Sequence, residues 1–278
     1  MVKIIDGRKL ALIKEKKLAR EVANFKKTSG ISPKLVSIFI GDPPIRRASQ
    51  LYVNLKEKTA KRVGILFEKK AFSANKGPKV IYEYIKKKNI DRGVSGIMIQ
   101  LPLPPKIDPF WLVSKIDPEK DVDCLTPENL GLVAMGKPIF LPATVKGILA
   151  IIKNIQHPIE GANVVVVGAS NIVGKPLAIH LSNLGATVAV CRSRTKNLSN
   201  FTRKADILVS ATGVPKLIKK EMVKKGAVVI DAGSPRGDVF FEEVKKVASF
   251  ITPVPGGVGP LTVICLLENV LVAARNLV

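Results

Sequence analysis

Gly168-Ala169-Ser170-Asn171-Ile172-Val173-Gly174 has the residue types and spacing of a turn that holds a phosphate. Four consecutive valines, Val164 to Val167, precede it; β-branched side chains without polar alternation suit a strand buried on both faces. Lys175-Pro176 and an apolar run from Leu177 to Leu184 follow, and Pro176 fits a first helical turn, where its missing N–H costs nothing. Such a corner aims backbone N–H groups at whatever lies above the strand. A GxGxxG pattern would need glycines at 170 and 173, where this chain has Ser170 and Val173, so a strand-turn-helix corner without a ligand stays open.

The next strand, Thr187 to Cys191, ends in Arg192-Ser193-Arg194-Thr195. NAD-preferring folds carry a carboxylate there, about 20 positions after the first glycine. Here two arginines and two hydroxyls stand instead, which fits a 2′-phosphate and favours NADP. Elsewhere, a helix from Arg46 to Val63 places Ser49, Tyr52 and Lys56 on one face. Gln100 ends a strand that begins at Gly96, because Leu101-Pro102-Leu103-Pro104-Pro105 cannot continue a ladder. Open α/β sheets bind ligands at such carboxyl ends.

The elements that must position these groups alternate along the chain. A helix from Asp6 to Thr28, opened by a capping aspartate, is followed by a strand at Lys34 to Ile40 and a turn at Gly41-Asp42-Pro43-Pro44. Ile65 to Phe67 reads as a strand and Lys79 to Lys88 as a helix. Asp117 to Thr144 is rich in turn residues and leads into a connecting helix, Thr144 to Asn154. Beyond the valine strand and Thr187 to Cys191, further strands are expected at Ile207 to Ala211, Ala227 to Asp231 and Phe250 to Thr252. This is the β-α alternation of a parallel sheet. The fold expected is α/β in two domains: an N-terminal α/β domain over 1–143, and a Rossmann-like parallel-sheet domain over 144–260. The apolar C-terminal helix, within 261–278, is expected to pack back on the first domain.

With 278 residues, 46% of them hydrophobic, the chain can bury a substantial core. Met1 to Leu10 carries no apolar leader, and no uninterrupted apolar run approaches the roughly 20 residues of a membrane span, so no membrane association is expected. Cys124, Cys191 and Cys265 are odd in number and widely separated, which argues against disulfides or a metal site and for a reducing cytoplasm. The net charge of +23 raises the alternative of a basic nucleic-acid-binding protein. However, runs such as Lys14-Glu15-Lys16-Lys17 and Lys86-Lys87-Lys88 sit on helix faces, and only three tyrosines and one tryptophan are available for base stacking. Solvated helix faces account for the charge without a nucleic acid, and the positive field suits an anionic small substrate.

Five stretches in order complete the reading: Tyr52-Val53-x-x-Lys56, Gly96 to Pro104, Lys120-Asp121-Val122-Asp123, the GASNIVGKP turn, and Pro253 to Pro260. Together they resemble the bifunctional methylenetetrahydrofolate dehydrogenase/methenyltetrahydrofolate cyclohydrolase family of one-carbon metabolism, from about the first helix to the C-terminus. The resemblance implies that the first domain is catalytic and binds a folate, with Lys56 the catalytic lysine beside Tyr52 and Gln100. It implies that Tyr52, Lys56, Gln100, Leu101, Asp123, Pro255, Gly256 and Gly259 contact substrate, Asp123 gripping the amino-pyrimidine edge of the pterin. Gly168, Ala169, Ser170, Val173, Gly174, Arg192, Ser193, Arg194 and Ser234 are then the expected NADP contacts, and a homodimer is implied. Asp121 is expected to be a loop or cap carboxylate.

Two departures from the family pattern stand out. Ala169 occupies a position where the family commonly has an arginine on the 2′-phosphate, with Arg192 placed to compensate. The loop Asp231 to Asp238 is shorter than usual. The competing enzyme reading, another two-domain NADP-dependent dehydrogenase acting on a small hydroxy acid or a shikimate-like metabolite, leaves Asp123 and the Pro255 loop unexplained.

Overall fold

The computed structural model describes residues 2–41 and 45–277, the side chains of 45–52 excepted. The turn expected at Asp42-Pro43-Pro44 and the side chains of Ser49 and Tyr52 therefore lie outside the described residues. In chain order the elements are β1 (Lys3–Ile4), α1 (Gly7–Ser29), β2 (Lys34–Ile40), α2 (Ile45–Val63), β3 (Leu66–Phe72), α3 (Pro78–Ile90), β4 (Gly96–Ile99), α4 (Pro109–Val113) and α5 (Pro127–Ala134). There follow α6 (Ala143–Asn154), β5 (Asn163–Val167), α7 (Gly174–Asn183), β6 (Thr187–Cys191), α8 (Leu198–Thr202), β7 (Ile207–Ser210), β8 (Val228–Asp231), α9 (Phe241–Val244), β9 (Phe250–Ile251) and α10 (Val258–Asn276). The chain divides into two compact units, one of Met1–Leu12 with Leu132–Thr262 and the other of Ile13–Gly131 with Val263–Val278.

The first unit is built on a parallel sheet of six strands among the described residues, in the order β1-β9-β8-β7-β5-β6. Val164 to Val167 are all buried in its interior, as an unbroken β-branched run requires. Register aligns Cys191, Val167, Ser210 and Asp231 in one row at the carboxyl ends of their strands. Whatever follows those four residues is therefore presented along a single edge. Residues 1–12, expected with the N-terminal domain, join this unit because Lys3 and Ile4 pair with Phe250 and Ile251. Two residues are too few to show a period in the sequence.

The second unit holds a parallel sheet of three described strands in the order β3-β2-β4. Alternation along β2 and β4 sends Val36, Ile38, Ile40, Ile97 and Ile99 to one face, where they pack on Ile81 and Ile85 of α3 and on Leu112 and Val113 of α4. Leu35, Ser37, Phe39 and Met98 take the other face. The strand expected at Ile65 to Phe67 runs on to Phe72 through Glu68, Lys69 and Lys70. It is an edge strand with a solvated side, where charges are tolerated and discourage further pairing. In the segment read as loop-rich, Pro127 to Ala134 folds as α5.

Helix ends follow local chemistry. Asp6 opens α1, its Oδ1 accepting from the backbone N–H groups of Arg8 (2.9 Å) and Lys9 (3.0 Å). By length and composition α10 could cross a membrane. Its Ile264, Leu266, Leu267, Val270 and Leu271 are instead buried within the protein, as in a core helix.

Candidate active site

The buried stripe of α2 runs through Val53, Lys56, Thr59, Ala60 and Val63, so one lysine takes a position that helical spacing assigns to apolar residues. Lys56 is only 8% exposed. Its Nζ donates to Gln100 Oε1 at 2.9 Å and lies 3.6 Å from Met98 Sδ. Gln100 follows the last residue of β4, where its N–H donates to Ile38 O at 2.8 Å. Its Nε2 donates to Leu101 O at 3.0 Å, and that contact turns the carbonyl end of the amide toward the lysine. Leu101 is half-buried.

Burial lowers the Lys56 amine below the ordinary lysine range, and the Asp123 carboxylate partly offsets this. The Asp123 carboxyl is pushed up by desolvation and pulled down by Lys56. Lys56, Gln100 and Asp123 are thus brought together in one electrostatic environment. A lysine that loses its proton more easily than usual suits acid–base work near neutral pH.

Around Asp123 the neighbouring residues are anchors. Lys120, Asp121, Val122 and Cys124 are all at most 4% exposed, whereas Asp123 is half-buried. Lys120 Nζ donates to the backbone carbonyls of Asp91 (2.7 Å) and Lys88 (3.2 Å) at the end of α3. Asp121 Oδ2 accepts from the N–H groups of Leu125 and Thr126, from Thr126 Oγ1 and from Asn129 Nδ2, at 2.8–3.0 Å. Asp121 therefore has the loop and cap role read from its position, and it fixes the start of α5.

In the first unit, the turn after β5 is held closed by its own atoms. A side chain on Gly174 would start 1.8 Å from Gly168 O, and one on Gly168, which has φ of +116°, would start 2.3 Å from Ala211 O. Neither position has room for a Cβ. Ser170 Oγ accepts from the N–H of Val173 (3.2 Å) and of Gly174 (3.5 Å), so this serine braces the turn from within. Ala169 and Val173 are half-buried. Beside them, Arg192, Ser193 and Arg194 are exposed. A turn closed by Arg192 N to Thr195 Oγ1 (2.9 Å) and Thr195 N to Arg192 O (2.8 Å) carries them. Among the described residues neither arginine is paired with a carboxylate.

The two remaining loops of this unit pack on each other, with Gly237 close against the Val254 side chain. Pro255 and Gly259 are exposed and Gly256 is half-buried. The glycine at 257 has an internal reason, since a Cβ there would lie 2.6 Å from Pro253 O. Gly259, by contrast, faces open space. Ser234 is exposed at the tip of the short loop.

Sequence reasoning missed what ties that short loop. Asp231 Oδ1 accepts from the N–H groups of Gly233 and Asp238, and its Oδ2 from that of Val239. Asp238 Oδ2 accepts from Ser210 Oγ (2.9 Å) and Thr212 N (2.6 Å). The available signal was an aspartate ending a buried strand, a polar residue that burial tolerates only when it is hydrogen-bonded. Among the described residues no group of three or more His, Cys, Asp or Glu side chains could hold a metal ion.

Comparison with known proteins agrees with this geometry. Residues 5–123 match the model of the tetrahydrofolate dehydrogenase/cyclohydrolase catalytic domain, and residues 142–278 match that of its NAD(P)-binding domain. The chain is 46% identical over 282 residues to the bifunctional protein FolD of Lactobacillus helveticus, covering 99% of each. The FolD methylenetetrahydrofolate dehydrogenase/cyclohydrolase of Campylobacter jejuni has a similar structure, with a TM-score of 0.95 at 40% identity over 99% of both chains. The Trypanosoma brucei enzyme, solved with NADP and an inhibitor, gives 0.94 at 38% identity, covering 99% of this chain and 98% of that one. With a family model matched in each half of its sequence, the chain belongs to the tetrahydrofolate dehydrogenase/cyclohydrolase family.

Proposed function

We propose that this enzyme oxidises methylenetetrahydrofolate with NADP and hydrolyses the methenyl product to formyltetrahydrofolate. The observation that carries the reading is the buried Lys56 amine, 2.9 Å from Gln100 Oε1 and under the influence of Asp123. Hydrolysis of the methenyl bridge needs a proton removed from the attacking water and another delivered to the departing ring nitrogen. In its neutral form Lys56 takes the first, and as the ammonium it supplies the second. Gln100 holds the amine in direction through both transfers. Asp123 accepts N–H bonds from the pterin's amino-pyrimidine edge, and Tyr52, four residues before Lys56, completes the catalytic set.

The turn suits a dinucleotide because it leads from the carboxyl end of a buried parallel strand into the start of α7, where backbone N–H groups favour a phosphate. NADP, when bound, supplies the hydride acceptor. The methylene carbon lies between two nitrogens whose lone pairs stabilise the cation left behind, so the protein's share of this step is position and electrostatics. Gly168, Ala169, Ser170, Val173 and Gly174 would hold the pyrophosphate side of the cofactor and Arg192, Ser193 and Arg194 its 2′-phosphate, with Ser234 a further cofactor contact and Pro255, Gly256 and Gly259 contacts to the substrate.

The test is direct. Purified protein given methylenetetrahydrofolate and NADP should raise the absorbance of the methenyl compound and then lose it by hydrolysis; no turnover with any folate would overturn the reading. The arginines make the cofactor choice testable on its own. Arg192→Ala should weaken NADP by about 1.5–3 kcal/mol, the worth of a charge-assisted hydrogen bond, and leave NAD nearly unaffected. Titration of both nucleotides checks this, and equal losses would move the phosphate elsewhere.

We infer a cytoplasmic homodimer. The three cysteines are buried thiols, which suits a reducing compartment. An exposed groove of about 280 Å³, lined by Ile179, Val188 and Val190 together with Ser182 and Asn183, lies between α7 and the edge strand β6 and suits a second copy.

A further inference from the structure

α10 is apolar where it is buried, with one exception that the reaction scheme leaves unused. Asn269 is 2% exposed among Leu266, Leu267, Val270 and Leu271, each at most 1% exposed. A buried amide is costly unless its hydrogen bonds are made. Asn269 Nδ2 donates to Val122 O at 2.8 Å, across 147 positions of sequence. That carbonyl belongs to the peptide group joining Val122 to Asp123, so its direction fixes the plane that holds the Asp123 N and Cα, from which the carboxylate is carried. The Val122 side chain is fixed as well, packed so closely on β4 that a Cβ at Gly96 would start 2.5 Å from Val122 Cγ1. Side chain and carbonyl of Val122 are both held, so the backbone that leads into Asp123 is fixed at this point.

We propose that Asn269 is a positioning residue for the folate site, its amide fixing the Val122–Asp123 peptide plane and with it the approach of the Asp123 carboxylate to Lys56 and the pterin. The inference rests on the reading of Asp123 as the pterin's carboxylate. A helix from the far end of the sequence thereby sets the geometry of a site built from the first half of the chain.

A double-mutant cycle on the full-length protein tests it. Asn269→Leu leaves the Val122 carbonyl unpaired and should raise KM for the methylene and methenyl substrates about tenfold. NADP affinity, measured by fluorescence titration, should not change. In an Asp123→Asn background the same leucine should add almost nothing, because the group it positions has already lost its charge. Multiplicative losses in the double variant, or a lowered melting temperature with unchanged KM, would reduce Asn269 to a packing role and overturn the proposal. If Asn269→Leu fails to fold, Asn269→Ser is read on the same cycle with the same two outcomes. Should Asp123→Asn alone leave KM unchanged, the fault would lie with the reading of Asp123.

Discussion

Lys56→Met lowers hydrolysis of the methenyl substrate by about 10²- to 10⁴-fold, the usual worth of a positioned acid–base group, while NADP affinity is retained. Methionine suits the site because it is unbranched and apolar, and Lys56 already occupies a buried position on the packed stripe of α2. The substitution removes the proton carrier and relieves the desolvation that burial of a charge imposes, so stability should hold or rise. The turn around Gly168 and Gly174 lies in the other compact unit and keeps its own hydrogen bonds. Stopped-flow hydrolysis with parallel NADP titration separates the two effects. Undiminished hydrolysis would remove Lys56 from the chemistry, and a matching loss of NADP binding would point to misfolding.

Asp123→Asn should raise KM for both folate substrates by about 10- to 150-fold, since hydrogen bonds to a charged group are worth about 1.5–3 kcal/mol each. An asparagine offers one acceptor where the carboxylate offers two, and its N–H₂ faces donors on the pterin. A second consequence follows from charge. Asp123 raises the Lys56 amine against the lowering effect of burial, so its loss lets the amine fall further. The limb of the rate profile along which Lys56 must lose its proton therefore moves to lower pH. Steady-state kinetics across pH checks both, and an unchanged KM with an unmoved limb would place Asp123 outside the site.

Much of this was legible in the residues because the strongest patterns were local. Val164 to Val167 announced a buried strand, and the glycines after it fit the close approach of 168 and 174. Lys34 to Ile40 and Thr187 to Cys191 formed with the bounds their composition implied. Elements whose stability is tertiary were harder to read. β1 exists through its pairing with β9, and β3 runs through three charged residues because it is an edge strand. Within the site, Lys56 could be picked out from a chain rich in lysine only by resemblance. The Asn269 bond to Val122 and the Asp231 knot join residues through space, and no local period encodes them.

The most direct test of the account is the titration of the Lys56 amine itself, followed by NMR with the amine nitrogen labelled and assigned by its loss in Lys56→Met. Lys56 should titrate below the exposed lysines, and lower still in Asp123→Asn. An amine that titrates with the exposed lysines, indifferent to residue 123, would contradict the claim that a buried proton carrier set opposite Asp123 drives the hydrolysis.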